Sequence, residues 1–115
     1  MQAETLSRQT GRPMLVFFTA EWCKYCHQLA DETLSLPEVE ELTRSFICVR
    51  IDADRQPDVC KALGIRSFPT LLCIGPQGQL QARIVGKQPT AQVMATLQNA
   101  LQVPAQARVP GVERR

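Results

Sequence analysis

The chain has 115 residues, of which 44% are hydrophobic and 21% are charged, and its formal net charge is +2. These values suit one globular domain, and they give no electrostatic argument for binding a nucleic acid or a membrane surface. With one Trp, one Tyr and four Phe, the chain also lacks the basic and aromatic stripe of nucleic-acid-binding proteins. No apolar run approaches the roughly 18–20 residues of a membrane span, so we expect no direct membrane insertion.

The first half of the chain alternates predicted helices and strands. The pattern predicts a short helix over 2–10, a buried strand over 14–19, a helix over 23–34, a helix that begins at Pro37, and a second strand over 46–52. Because a long helical connection separates the two strands, we expect them to pair in parallel with a right-handed crossover.

The second half predicts a short helix over 58–63 and a hairpin of strands over 70–74 and 80–85. A last helix follows Pro89, with apolar residues at helical spacing. The sum is an α/β fold, a four-stranded mixed sheet with helices on both faces. We expect one domain over 1–103 and a flexible tail over 104–115.

Two cysteines, Cys23 and Cys26, lie where the first predicted strand passes into a helix. The first turn of a helix has unpaired N–H groups and the positive end of the macrodipole, which stabilise a thiolate. Such sites lower a cysteine pKa from roughly 8.5 into the range of about 3.5–7.5. We therefore expect Cys23 to attack as a thiolate and Cys26, one turn on, to resolve the mixed disulfide, with Lys24 adding positive charge beside them.

The cysteine pair also fits a structural disulfide, half of a zinc site or a haem attachment motif. A structural disulfide needs no reactivity, and a half zinc site needs a second Cys or Cys/His pair at short spacing, which the chain lacks. Cys23-x-x-Cys26-His27 also matches the attachment pattern of a c-type haem, although the predicted fold offers no haem-sized pocket. A redox dithiol without a metal or other cofactor is the interpretation that we favour. The remaining cysteines are expected to be buried free thiols: Cys48, Cys60 and Cys73.

Two motifs resemble the thioredoxin family over about residues 11–101. The segment Phe18-Thr19-Ala20-Glu21-Trp22-Cys23-Lys24-Tyr25-Cys26 is similar to that family's active-site segment. The segment Gly64-Ile65-Arg66-Ser67-Phe68-Pro69-Thr70-Leu71-Leu72 is similar to its cis-proline segment, and matching positions between and after these motifs are Asp52, Gly78 and Val85-Gly86. The segment from Glu32 to Val39 resembles the subgroup that includes the C-terminal domain of membrane-embedded thiol:disulfide interchange reductases.

This resemblance implies a redox-active disulfide, Cys23–Cys26, and a set of residues that shape its site. Pro69 would be a cis proline packed against the disulfide, and Phe68 would offer its backbone to an extended substrate segment. The remaining residues implied to shape the site or bind substrate are Trp22, Lys24, Tyr25 and Gly86.

The chain departs from the family at a buried pair of charges. The family often has a buried acid beneath the second cysteine, and that position falls on Phe17; the buried lysine that partners the acid corresponds to Cys48. Since a buried unpaired charge is costly, losing both members together is physically coherent. We expect resolution by Cys26 to be slower, or more pH-dependent, than in an ordinary thioredoxin.

The resemblance implies thiol–disulfide exchange, and the subgroup favours a protein disulfide reductase. The expected partners are protein disulfide substrates and an upstream reductase or membrane electron donor, with the protein itself a monomer. The alternatives are a redox-inactive thioredoxin-fold interaction module, or a disulfide isomerase or oxidase. Because Met1 to Arg12 lacks the apolar core of a signal peptide, we expect a cytoplasmic protein as written, or a periplasmic one if the chain is an excised domain.

Overall fold

The computed structural model of the protein describes residues 2–102. The helices are α1 (Gln2–Thr10), α2 (Lys24–Leu29), α3 (Pro37–Thr43), α4 (Pro57–Ala62) and α5 (Thr90–Gln102), and a π-helix over Ala30–Leu34 continues α2. The strands are β1 (Met14–Thr19), β2 (Ile47–Asp52), β3 (Thr70–Ile74) and β4 (Leu80–Val85). Every predicted helix and strand is present, and the boundaries lie within about two residues of those expected when the π-helix is counted with α2.

The four strands form one mixed sheet in the order β2-β1-β3-β4. β1 pairs with β2 in parallel and with β3 antiparallel, and β3 and β4 form the antiparallel hairpin. The four-stranded mixed sheet is therefore confirmed. Because β1 is central, its carboxyl end places the two cysteines at the middle of one edge of the sheet.

Helices cover both faces of the sheet, as predicted. One face packs Leu15 and Leu71 against Leu29, Val93 and Leu97 of α2 and α5. The other face carries a second cluster on which α1 and α4 lie; its members include Val16, Phe18, Ile51, Cys60 and Leu72. Since β1 contributes to both clusters, its buried side chains alternate between the two cores.

The predicted helix over 23–34 differs from the structure in its second half. The α-helical ladder ends at Leu29, and the five residues from Ala30 to Leu34 have the wider π-helical turn. This turn buries Thr33, whose hydroxyl lies 3.1 Å from the hydroxyl of Thr90 at the start of α5. A pattern of apolar residues at helical spacing does not distinguish these two turn widths, because both keep one face buried.

Two further expectations concern the chain as a whole. The predicted tail over 104–115 lies outside the described residues. Within residues 2–102, none of the helices has both the length and the apolar character needed to cross a bilayer.

Candidate active site

Cys23 is the N-cap of α2. Its backbone is extended, and its sulfur accepts the backbone N–H of Cys26 at 3.1 Å. Cys23 and Cys26 form a disulfide with a Cα–Cα distance of 5.2 Å, which is usual for such bonds. The attacking sulfur proposed from the sequence is therefore held at a free amide in the first turn of the helix, where a negative charge is stabilised.

The two sulfurs lie close beneath the surface at different depths. Cys23 is 5% exposed and Cys26 is 1% exposed, so Cys23 is the more accessible member. Large side chains flank them on the outside, with Trp22 at 67% and Tyr25 at 58% exposure. Lys24 is exposed as well. An incoming group would thus meet the sulfur of Cys23 first.

The segment before β3 forms the second wall of the site. The Phe68–Pro69 peptide bond is cis, and the carbonyl of Pro69 accepts the backbone N–H of Gly86 at 2.8 Å. Gly86 has a φ of +78°, a conformation that favours glycine. The ring of Phe68 meets Trp22 edge to face, with 5.9 Å between centroids. The structure thus packs Phe68 against the cysteines and against Trp22, and it joins the next residue, Pro69, to Gly86.

Phe17 packs against the cluster of Ala20, Cys23 and Cys26, so a phenyl ring occupies the position assigned to the buried acid. The assignment of its partner to Cys48 is wrong. The strand register pairs Phe17 with Arg50, whereas Cys48 pairs with Leu15. The Arg50 guanidinium carbon lies 6.0 Å from the centre of the Phe17 ring. The error arose because the sequence does not show the register between β1 and β2.

Sequence reasoning missed Asp54 as a residue of the site. Its carboxylate accepts the indole N–H of Trp22 at 3.1 Å, and its own backbone N–H donates to the carboxylate of Asp52 at 2.8 Å. A signal was available, because Asp54 follows β2, whose carboxyl end meets that of β1 at the same edge of the sheet. Asp54 therefore limits how the exposed indole turns beside Cys23.

His27 and the other possible metal ligands test the zinc and haem interpretations of the cysteine pair. His27 donates its Nε2–H to the carbonyl of Glu21 at 2.8 Å. Among residues 2–102, no group of three or more His, Cys, Asp or Glu side chains is placed to hold a metal ion.

The three other cysteines are free thiols within the described chain. Cys60 and Cys73 are buried, as expected, but Cys48 is exposed, so the prediction for Cys48 is wrong. Cys48 belongs to the edge strand β2, which no further strand covers in the described residues. Burial raises the pKa of Cys73 to about 12. Partial desolvation of its sulfur also raises the pKa of Cys48, although the residue as a whole is exposed; the charge of Arg12 and the hydrogen bond to Thr43 oppose this rise.

These features define a class of protein: a four-stranded α/β domain with a Cys-x-x-Cys disulfide at a helix N-terminus, packed against the residue that precedes a cis proline. A comparison with known protein families identifies the same class of protein. The family model described as a thioredoxin-like domain matches residues 2–101. The chain belongs to this thioredoxin-like family.

Individual proteins of known class are also similar to this chain. The chain is 31% identical over 98 residues to a protein disulfide isomerase-like 2-1 of Oryza sativa, and the match covers 84% of the chain but 26% of that protein. It is 34% identical over 97 residues to thioredoxin 1 of Synechococcus elongatus, covering 81% of the chain and 84% of that protein. The solution structure of a thioredoxin from Thermus thermophilus superposes with a TM-score of 0.83 at 21% identity, covering 99% of this chain and 93% of that one.

Proposed function

We propose that the protein exchanges thiols and disulfides with protein substrates, most readily as a reductase. The observation that carries the proposal is the sulfur of Cys23 at the helix N-terminus, 3.1 Å from the amide of Cys26 and more exposed than its partner. A thiolate at that position is stabilised by the amide and the macrodipole, and the thiolate is the reactive form. The relatives named as thioredoxin and as protein disulfide isomerase-like support the same chemistry.

In the forward direction the reduced protein gives two electrons to a substrate disulfide. The Cys23 thiolate attacks one substrate sulfur, a mixed disulfide forms, and the other substrate sulfur leaves as a thiolate that takes up a proton. Cys26 then loses its proton and attacks the sulfur of Cys23. The Cys23–Cys26 disulfide closes, and the second substrate sulfur departs as a thiol.

The exposed surface around Cys23 supports a protein as the substrate. Trp22, Tyr25 and Phe68 provide apolar area near the disulfide, and we propose that an extended segment of the substrate pairs with the backbone of Phe68. We propose that an upstream reductase or a membrane electron donor returns the pair to the dithiol. Pro69 and Gly86, joined by their backbone hydrogen bond, hold this wall in place.

Variants of the two cysteines test the mechanism. We expect Cys23→Ser to abolish reduction of a protein disulfide, because the remaining thiol of the site, Cys26, is only 1% exposed and so is not accessible to the substrate disulfide. We expect Cys26→Ser to accumulate mixed disulfides, which non-reducing gel electrophoresis resolves as higher-mass species. Cys48→Ser, which removes an exposed thiol outside the site, serves as the control and should behave as the native protein. Retained turnover in the Cys23 variant would refute the proposal.

The direction of exchange follows from the reduction potential, read by thiol tagging after equilibration in glutathione buffers. A potential of roughly −230 to −270 mV would support a reductase. A potential of about −120 to −180 mV would instead favour an isomerase or oxidase in an oxidising compartment, which is the second candidate that the isomerase-like relative suggests. A pair that never equilibrates would leave the interaction module as the better account.

A further inference from the structure

A groove of about 420 Å³ lies between α4 and the segment that leads into β3. Cys60 and Ile65 contribute to its lining from the buried side, and Phe68 lines it next to the cis proline. Its charged lining residues are Lys61 and Arg66, and no carboxylate lines it. We call this feature the basic groove.

The basic groove is continuous with the dithiol site. Phe68 and Ala53 line the groove and also pack against the cluster of Cys23 and Cys26. The ring of Phe68 also contacts the ring of Trp22 edge to face. A substrate segment that lies along Phe68 beside Cys23 would therefore extend directly into the groove.

The two cations of the groove are available for a partner. The side chains of Lys61 and Arg66 are exposed, and within residues 2–102 neither has an ion pair or a side-chain hydrogen bond. Asp52 and Asp54 hydrogen-bond near the disulfide and Asp58 lies on α4, but within residues 2–102 none of the three forms an ion pair with Lys61 or Arg66. The positive charge on this side of Phe68 is thus left unneutralised by any described ion pair.

We propose that the basic groove is a specificity subsite that binds an acidic side chain of the protein substrate, a few residues from the cysteine that Cys23 attacks. The proposal rests on the thiol–disulfide exchange proposed above and adds a preference among substrates. Charge pairs at the rim of an interface chiefly steer the encounter, so the preference appears in the second-order rate constant and falls as salt rises.

The test uses the reduced full chain and three peptide disulfides that differ only at two positions near the cysteine, which hold Glu, Gln or Lys. The second-order rate constant for oxidation of the protein by each peptide is measured by thiol tagging at low and at high salt. We expect the Glu peptide to react roughly threefold to tenfold faster than the Gln peptide at low salt, and the Lys peptide more slowly than either.

Two double variants with equal changes of net charge separate the groove from the charge of the whole protein. In Lys61→Gln/Arg66→Gln we expect the ratio of Glu to Gln rates to fall to about one, with the Gln peptide nearly unaffected. In the control, Arg8→Gln/Arg44→Gln, the ratio should stay near the native value. Arg44 is the C-cap of α3 and precedes β2, and Arg8 lies on α1 and precedes β1. Because β1 and β2 are parallel, both residues come before the amino ends of these strands, whereas the disulfide follows the carboxyl end of β1.

Each outcome decides the proposal. A native ratio near one at low salt, or an equal loss of preference in the two double variants, would overturn the subsite. Failure of all three peptides to react would overturn the exchange reaction itself, and it is distinguishable because no rate constant would then be measured. A preference lost only in the groove variant, and weakened by salt, establishes the subsite.

Discussion

Phe17 determines the environment beneath Cys26. Its ring packs against the two cysteines in a position where the family often has an acid, and a phenyl ring cannot accept a proton. Cys26 is 1% exposed, so water has little access to its thiol once the mixed disulfide has formed. At this position the thiol of Cys26 therefore meets a phenyl ring instead of a carboxylate base, and the resolving step should depend on pH.

A substitution at Phe17 tests this view. We expect Phe17→Asp to speed the resolving step at pH 7 by roughly tenfold or more, because a carboxylate can act as a general base for the Cys26 thiol. Arg50, which pairs with Phe17 across the strands, would offset part of the cost of the new charge. The decay of a preformed mixed disulfide is measured by acid quenching at a series of times, between pH 6 and 9. Phe17→Leu is the apolar control, and equal rates in the two variants would contradict the argument.

At the scale of elements, the loop from β4 to α5 joins the two walls of the site. Gly86 bonds to Pro69 on one side, while the ammonium group of Lys87 lies 2.9 Å from Gln28 and 3.0 Å from Glu32 on the other. The contact with Glu32 falls on the π-helix, whose wider turn also buries Thr33. The helix that carries Cys26 and the loop that carries Gly86 are thus connected through one side chain.

The contribution of that side chain to stability is measurable. We expect Lys87→Met to lower the free energy of unfolding by about 0.5–1 kcal/mol, the usual range for a partly exposed ion pair with a second hydrogen bond. High salt should reduce the difference from the native protein. Lys61→Met, which removes a cation without an ion pair, is the matched control and should change stability little. Urea unfolding followed by circular dichroism gives both values, and equal effects would show that the Lys87 contacts contribute nothing.

At the scale of the whole molecule, two apolar cores hold one sheet between them, and a titratable group lies in one of these cores. Cys73 of β3 is 1% exposed and packs with Leu15, Leu71 and Leu97. Burial raises its pKa to about 12, whereas an unfolded cysteine titrates near 8.5. Between these values the folded state keeps a proton that the unfolded state has lost, so the contribution of Cys73 is complete below about pH 8.5 and is lost as the pH rises towards 12.

This linkage predicts an alkaline loss of stability. We expect the free energy of unfolding to fall by up to about 1.4 kcal/mol per pH unit above pH 9 on account of Cys73 alone. Cys73→Val, which keeps an apolar side chain of similar size, should have a shallower slope over the same range. Urea titrations of the oxidised protein at pH 8, 9.5 and 10.5 measure how the free energy of unfolding depends on pH. Parallel curves for the two proteins would show that the thiol does not titrate differently on unfolding.

The sequence by itself determined the order of the elements and the chemistry of the central motif. Alternating apolar runs, helix-start prolines and the position of the two cysteines predicted the four-stranded sheet and a disulfide at a helix start, because these features depend on residues close together in the chain. The resemblance to a family then implied the partners of the disulfide in the cis-proline segment.

Only the tertiary structure decided how distant segments meet. The register of β1 against β2 placed Arg50, not Cys48, opposite Phe17, and the edge position of β2 left Cys48 exposed. The hydrogen bond between Trp22 and Asp54, the contacts of Lys87 and the basic groove each join residues from separate elements. Such contacts depend on how the strands align and the helices pack, and no local pattern of residues encodes those distances.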